Sequence, residues 1–393
     1  MDTTTEPPPH PGLDSTAVYL DHNATTPVDP RVVEAMKPCL TTGFGNPSSG
    51  HAWAAEPEAA LARARRRVSA LIGADAGEIV FTGSGSEANN LALRGAVLAA
   101  GVPRPHVITQ VTEHPAVLET CRALERLHQV RVTCLPVDRA GLVDPAALAA
   151  ALTDRTVLVS VMAANNETGT LQPVAALARL ARARGALFHC DAAQAAGKIP
   201  LDVSGLGVDL LTVVGHKMYA PKGVAALYVR RGVRLEPLVY GGGQEGGLRA
   251  GTENTAFAVA LGAAAELAAA ELADGAGQRA AALRDRLHRG LENALPGRVH
   301  LNGSARHRLP TTLNVSITGV PAHELLAAVP RLAASTGSAC HSGSRSGSPV
   351  LRAMGLDETR TLAAVRMSVG RWTTAADVDR AAGLLAAAVG ALT

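Results

Sequence analysis

The stretch LLTVVGHKMYAPKG (210–223) is an apolar run that stops at a histidine, a lysine and a glycine-bearing turn. LLTVV (210–214) reads as a short buried strand, with His216 and Lys217 at its exit. The chain has only four lysines (Lys37, Lys198, Lys217, Lys222) among many arginines. A primary amine at the end of a buried strand can form an imine with an aldehyde, which a guanidinium cannot. A solvated loop lysine is the ordinary alternative, so the rest of the chain has to decide.

Outward from this run, short β-rich segments alternate with helical ones from about residue 27 to 272. Further strands are expected at EIVFT (78–82), HVITQV (106–111), TVLVSVM (156–162), ALFHC (186–190) and AALYV (225–229). Helical patterns fill 55–72, 86–100, 115–128 and 174–184, the first closed by Gly73. Apolar strands alternating with helices imply an α/β domain on a mainly parallel sheet covered on both faces. A long helix over about 253–272 leads to a second region, where helical patterns (277–294, 374–391) flank TTLNVSI (311–317) and RMSVG (366–370). This predicts a smaller α+β domain, assigned 18–26 and 273–393, beside the large domain 27–272. Residues 1–17 read as a disordered tail with neither the basic start nor the apolar core of a signal peptide.

Composition narrows the function. A net charge of +3 with interleaved signs and 3% aromatics gives no nucleic-acid stripe. The Ala-rich stretch 256–273 carries Glu266 and Glu271, so no membrane span is expected. Five cysteines (Cys39, Cys121, Cys134, Cys190, Cys340) form no CxxC pair, which suits reduced thiols in a cytoplasm. No metal site is expected.

Polar groups cluster just after the strands: FTGSGSE (81–87), VTEH (111–114), NNETG (165–169), Asp191 with Gln194, and His216 with Lys217. Ligands of open α/β sheets bind outside the carboxyl ends of strands, so these five ends define one pocket. The turn at Gly85 and Ser86 opens a helix whose free N–H groups favour a phosphate, though an ordinary capped helix start reads the same way. Asp191 suits the protonated nitrogen of a pyridine ring, or a helix N-cap over 192–198. His114 suits stacking on a planar ring, or capping the helix that Pro115 starts.

Together these are the parts of a pyridoxal phosphate site. The motifs YLDHNATTPVDP (19–30), GNPSS (45–49), TEHPAVLETCR (112–122), NNETG (165–169), HCDAAQAAGK (189–198), GHKMYAPKG (215–223), RAGTEN (249–254) and SGSRSGSPVL (342–351) resemble the cysteine desulfurases, class-V aminotransferases of PLP-dependent fold type I. The resemblance runs from about residue 18 to the C-terminus. It implies pyridoxal 5'-phosphate held in imine linkage by Lys217, which would also shuttle the substrate Cα proton. His114 would stack on the ring, Asp191 would face its nitrogen, and Asn166 and Gln194 would contact its oxygen. Gly85, Ser86 and His216 would hold the phosphate. Thr252 would reach the phosphate of a neighbouring subunit, which implies a homodimer. Arg366 would grip the substrate carboxylate, with Asn314 in support.

Cys340 lies in STGSACHSGSRSGSP (335–349), a Gly/Ser-rich stretch expected to be a mobile loop. An ordinary thiol, pKa about 8.5, is only a few per cent thiolate at neutral pH, and His341 and Arg345 would raise that fraction. The resemblance implies that Cys340 takes the sulfur of L-cysteine as a persulfide, leaving alanine, and passes it to an acceptor protein. The other four cysteines read as packing. LTVVGHK with Val214, GGGQEGGLRAGTENT (241–255) and CHSGSRSGSPVL (340–351) resemble selenocysteine lyase instead, which is the alternative. Many desulfurases place a phosphate-binding serine at position 214, and Pro115 matches neither subgroup.

Overall fold

The computed structural model describes residues 7–13, 16–336 and 347–393. A central sheet is built from β1 (Ile79–Thr82), β2 (His106–Gln110), β3 (Arg131–Leu135), β4 (Thr156–Ser160), β5 (Leu187–Asp191), β6 (Leu210–Val214) and β7 (Ala225–Val229). Their spatial order is β1-β7-β6-β5-β4-β2-β3. The pairs from β3 across to β6 are parallel, whereas β7 runs antiparallel to both β6 and β1. The carboxyl ends of β1, β2, β4, β5 and β6 therefore open on one edge.

Both faces of this sheet are buried, because successive strand side chains point to opposite sides. Val80, Val107, Leu158, Leu210 and Leu227 pack on the side of helices Gly85–Ala99 and Pro115–His128. Ile108, Val159, Phe188, Leu211 and Val213 pack on the other, with the helix Thr255–Ala273. That helix is long and apolar enough to cross a membrane by composition alone, yet it lies against Ala52–Leu71 in the core. A Cβ at Gly262 would come 2.6 Å from Ala64 Cα, so glycine sets the closeness of this crossing.

A separate core joins the two ends of the chain, with Val18 and Leu20 packed among Leu287, Leu313, Val365 and Leu385. Its antiparallel sheet has the order β10-β9-β8, from β8 (Val299–Leu301), β9 (Thr312–Ile317) and β10 (Ala364–Ser368). Val18–Tyr19 pairs in parallel with Leu332–Ala333.

Two elements depart from expectation. β3 was not anticipated: RVTCL is a partly exposed edge strand, and its mixed polarity hides it. Residues 7–13, expected in a disordered tail, make defined contacts. Trp372 donates its indole N–H to Pro8 O (2.8 Å), and His10 packs edge-on against the same ring at 5.0 Å. Proline-rich composition shows no packing period, so a single aromatic anchor of this kind leaves no trace in sequence.

Candidate active site

The strand ends and the returning segment near residue 23 enclose a cavity of about 520 Å³. Gly85, Ser86, His114, Asn166, Asp191, Gln194, His216, Lys217 and Arg366 all line it. Thr252 does not: it is exposed on the segment before Thr255–Ala273. Asn314 also stands back from the cavity, and Cys340 lies outside the described residues, as do His341 and Arg345.

Lys217 closes a short 3-10 turn after β6 and donates to Asn23 O (2.7 Å) and Ala24 O (2.8 Å). The turn is held by Tyr219, whose backbone sits in the left-handed region (φ 64°) that a tyrosine adopts only under constraint. The constraint is visible. Tyr219 N–H donates to Thr26 Oγ1 (2.8 Å), its hydroxyl accepts from Arg371 N–H (2.7 Å), and the Arg371 guanidinium lies 4.0 Å over its ring.

His114 caps a helix and also lines the cavity. It is the N-cap of Pro115–His128, its Nδ1 accepting from Ala116 N–H (3.1 Å). Burial lowers its proton affinity, so the ring is presented neutral. Pro115 occupies the first helical position, where no N–H is missed. Asp191, the last residue of β5, caps no helix over 192–198. Its carboxylate accepts from Ala193 N–H (2.9 Å) and from the Asn89 amide (2.7 Å). Behind them Glu113 is buried, accepting at one oxygen from Met162 N–H (2.6 Å) and the Gln110 amide (2.9 Å). Burial, then the nearby Asp191 charge, push its pKa up to about 8. The protonated form of Glu113 is thus favoured at neutral pH, and the Asp191 carboxyl is the one on the cavity wall.

At the start of Gly85–Ala99, Ser84 caps the helix by accepting from Glu87 N–H (3.1 Å). The amides of Gly85 and Ser86 have no partner among the described residues and lie on the cavity wall. A Cβ at Gly85 would come within 2.5 Å of Val214 Cγ2, so Val214 fills the floor beneath this turn by close packing. His216 has its Nδ1 3.2 Å from Thr25 Oγ1. Burial first, then the charge of Lys217 and Lys222, lower its pKa to about 4, so it offers a neutral ring nitrogen. Lys222 brings a cation to the same cavity.

Arg366 is buried in β10. It donates to Asp21 (2.7 Å) and Asn166 O (3.2 Å), leaving Nε without a partner. Asn314 is its cross-strand neighbour, but its amide is committed to Glu167 O (3.1 Å) and the Asn302 side chain (2.8 Å). It braces the wall. Glu167 in turn accepts from Ser348 Oγ at 2.5 Å.

The donor set fits pyridoxal phosphate. An amine, a carboxylate, a planar neutral ring and two unpartnered amides beside a cation surround one space of suitable size. The four described cysteines are all free. Burial raises the thiol pKa of each: Cys121 to about 12, Cys190 well above its ordinary value, Cys39 and Cys134 more mildly. Cys134 is exposed on β3 as a residue, with only its thiol partly shielded, so core packing does not describe it.

Sequence reasoning assigned no role to Asn23, Asn89, Lys198 or Lys222. Asn23, Lys198 and Lys222 lie inside quoted motifs, DHNATT, HCDAAQAAGK and HKMYAPKG, and could have been weighed. Asn89 was legible only as the helix turn after Ser86.

A model of the Aminotransferase class-V family matches residues 18–381. A cysteine desulfurase IscS of Anaeromyxobacter dehalogenans is 49% identical over 367 residues, 93% of this chain and 90% of that protein. The mitochondrial cysteine desulfurase of Drosophila melanogaster is 48% identical over 92% of this chain and 78% of its own length. Among solved structures, a NifS-like protein superposes with a TM-score of 0.87 at 36% identity, covering 96% of this chain and 99% of that one. SspA in complex with cysteine gives 0.80 at 34% identity, over 91% of this chain and all of that one.

Proposed function

The chain belongs to the class-V aminotransferases and is a pyridoxal-phosphate-dependent cysteine desulfurase of fold type I; from that premise we propose which residues carry the reaction. The relatives favour this over the selenocysteine lyase reading. When bound, pyridoxal phosphate forms an imine with an amine and acts as a sink for electrons released at the amino acid's α-carbon.

Lys217 would hold the cofactor and carry the proton between Cα and the product methyl group. Asp191 would pair with the ring nitrogen, its carboxyl oriented by the Asn89 amide and Ala193 N–H. His114 would cover the ring face, and Gln194 and Asn166 would meet the ring oxygen. The amides of Gly85 and Ser86, with Ser86 Oγ, His216 and Lys222, would receive the phosphate. Arg366 takes the carboxylate of L-cysteine through its fork. Cys340 then attacks the substrate sulfur as thiolate: the S–S bond forms, the C–S bond breaks, and the carbon takes a proton to leave alanine. No external oxidant is needed: the electron pair of the broken C–S bond stays with the substrate carbon, which is reduced to a methyl group as it takes the proton, while the two sulfurs are oxidised to the persulfide. The observation that carries this reading is the meeting of Lys217, Asp191, His114 and Arg366 on one cavity wall.

Residues 27–272 form the cofactor-binding unit, and 18–26 with 273–393 the smaller one. A homodimer would bring Thr252 to a second copy's phosphate and cover the exposed side chains of Leu40, Phe44, Trp53, Val239 and Tyr240. The persulfide would pass to an acceptor protein, and free cysteines suit a cytoplasmic setting.

The test is Lys217→Ala. Reduction of the wild type with borohydride should fix the cofactor to the peptide carrying Lys217, and the variant should release its cofactor on gel filtration. Cofactor fixed to Lys198 or Lys222 would refute the assignment.

A further inference from the structure

Lys198 is absent from the lining of the active-site cavity and stands instead on the wall of a neighbouring cavity of about 370 Å³. Its amine nevertheless reaches the site from behind. It donates to Gln194 Oε1 (2.7 Å) and to Asn23 Oδ1 (3.3 Å). Gln194 Nε2 donates to Asn23 O (2.9 Å), the same carbonyl that accepts from Lys217 (2.7 Å). Asn23 is fixed further by its own amide, which donates to Thr312 Oγ1 (2.9 Å) and Asn166 O (3.2 Å).

A buried glutamine amide has two orientations, and its neighbours decide between them. A lysine amine donates to a carbonyl oxygen, and has no acceptor of its own when protonated, whereas a backbone carbonyl only accepts. Lys198 therefore demands Oε1 on its side while Asn23 O demands Nε2 on the other. We infer that Lys198 is a positioning residue for the cofactor: it locks the Gln194 amide so that an N–H, not a carbonyl oxygen, faces the ring oxygen. This rests on the reading of Gln194 as the ring-oxygen donor.

The local backbone supports the assignment. Gly197 adopts φ +73°, and a Cβ there would lie 2.7 Å from Met218 Cγ, so only glycine turns the chain to return Lys198 to the site. Charge is not all that the position supplies. Burial, then Lys217 and Arg366, bring the Lys198 pKa down to about 7, and His22 and His216 also face it as groups whose protonation it opposes. A neutral amine still donates, so the hydrogen bond survives where the charge does not.

A donor at the ring oxygen favours its deprotonated form, so loss of the donor raises the pH at which the bound cofactor changes colour. A hydrogen bond worth about 1–1.5 kcal/mol corresponds to roughly one pH unit. The experiment is a pH titration of the visible absorbance of holoenzymes: wild type, Lys198→Met, Gln194→Leu and the double variant. The expected result is an upward shift of about one unit in each single variant and no further shift in the double. Additive shifts would mean that Lys198 acts through its field alone, which overturns the proposal, as does an unmoved midpoint in Lys198→Met. A Gln194→Leu midpoint equal to wild type would sink the reading of Gln194 itself. Should Lys198→Met fail to fold, Lys198→Gln keeps a donor without the charge: an unchanged midpoint supports the proposal and a shifted one refutes it.

Discussion

Replacing Arg366 with methionine removes the substrate clamp while keeping a long apolar stem in β10. The guanidinium already spends one N–H on Asp21 (2.7 Å) and one on Asn166 O (3.2 Å), and its buried Nε has no partner. An incoming carboxylate would gain at least one charge-assisted hydrogen bond there, worth about 1.5–3 kcal/mol. That converts to a loss of roughly 10- to 150-fold in kcat/KM. The clamp is made in ground and transition states alike, so the loss should fall mainly on KM. The assay is alanine release from L-cysteine, run beside turnover of cysteamine, which lacks the carboxylate. Wild type and variant should handle cysteamine alike. An equal fold-loss on both substrates would refute the clamp, and would mean that Arg366 matters by holding Asp21 and the Asn166 segment.

Gly85→Ala places a methyl 2.5 Å from Val214 Cγ2, so it should weaken cofactor affinity by about 1–3 kcal/mol, measured by fluorescence titration of apo-protein. Adding Val214→Ala should recover most of that loss. For Glu113, burial raises the pKa from 4.5 to about 8, so the unfolded chain releases a proton that the fold retains. Stability on this account falls as pH rises through that window. Glu113→Gln should therefore melt increasingly above wild type between pH 5 and about 8, and a constant difference across the series would contradict the raised pKa.

The sheet was largely legible because LLTVV and AALYV are unbroken apolar runs, and both strands occupy the expected residues. Arg131–Leu135 was hidden because an edge strand needs no apolar face. The antiparallel turn of β7 left no sign either, since a strand buried on both faces reads alike in either direction. The site was legible wherever chemistry follows a strand end, as at Asp191 and Lys217. It was opaque where residues far apart in sequence meet. Asn23 reaches Lys217 across 194 positions and Thr312 across 289, and no local pattern announces such contacts. Asn314 was read as touching substrate, yet its amide is consumed by Glu167 and Asn302. Val214 looked like a lost phosphate ligand, and close packing against Gly85 gives it a role of its own.

Alanine release from L-cysteine and L-selenocysteine, side by side, by wild type and Cys340→Ala, tests the account most directly. Cysteine turnover that vanishes in the variant, with the cofactor colour retained, is the predicted result. Cysteine turnover that survives loss of Cys340, or alanine formed from selenocysteine alone, would contradict it.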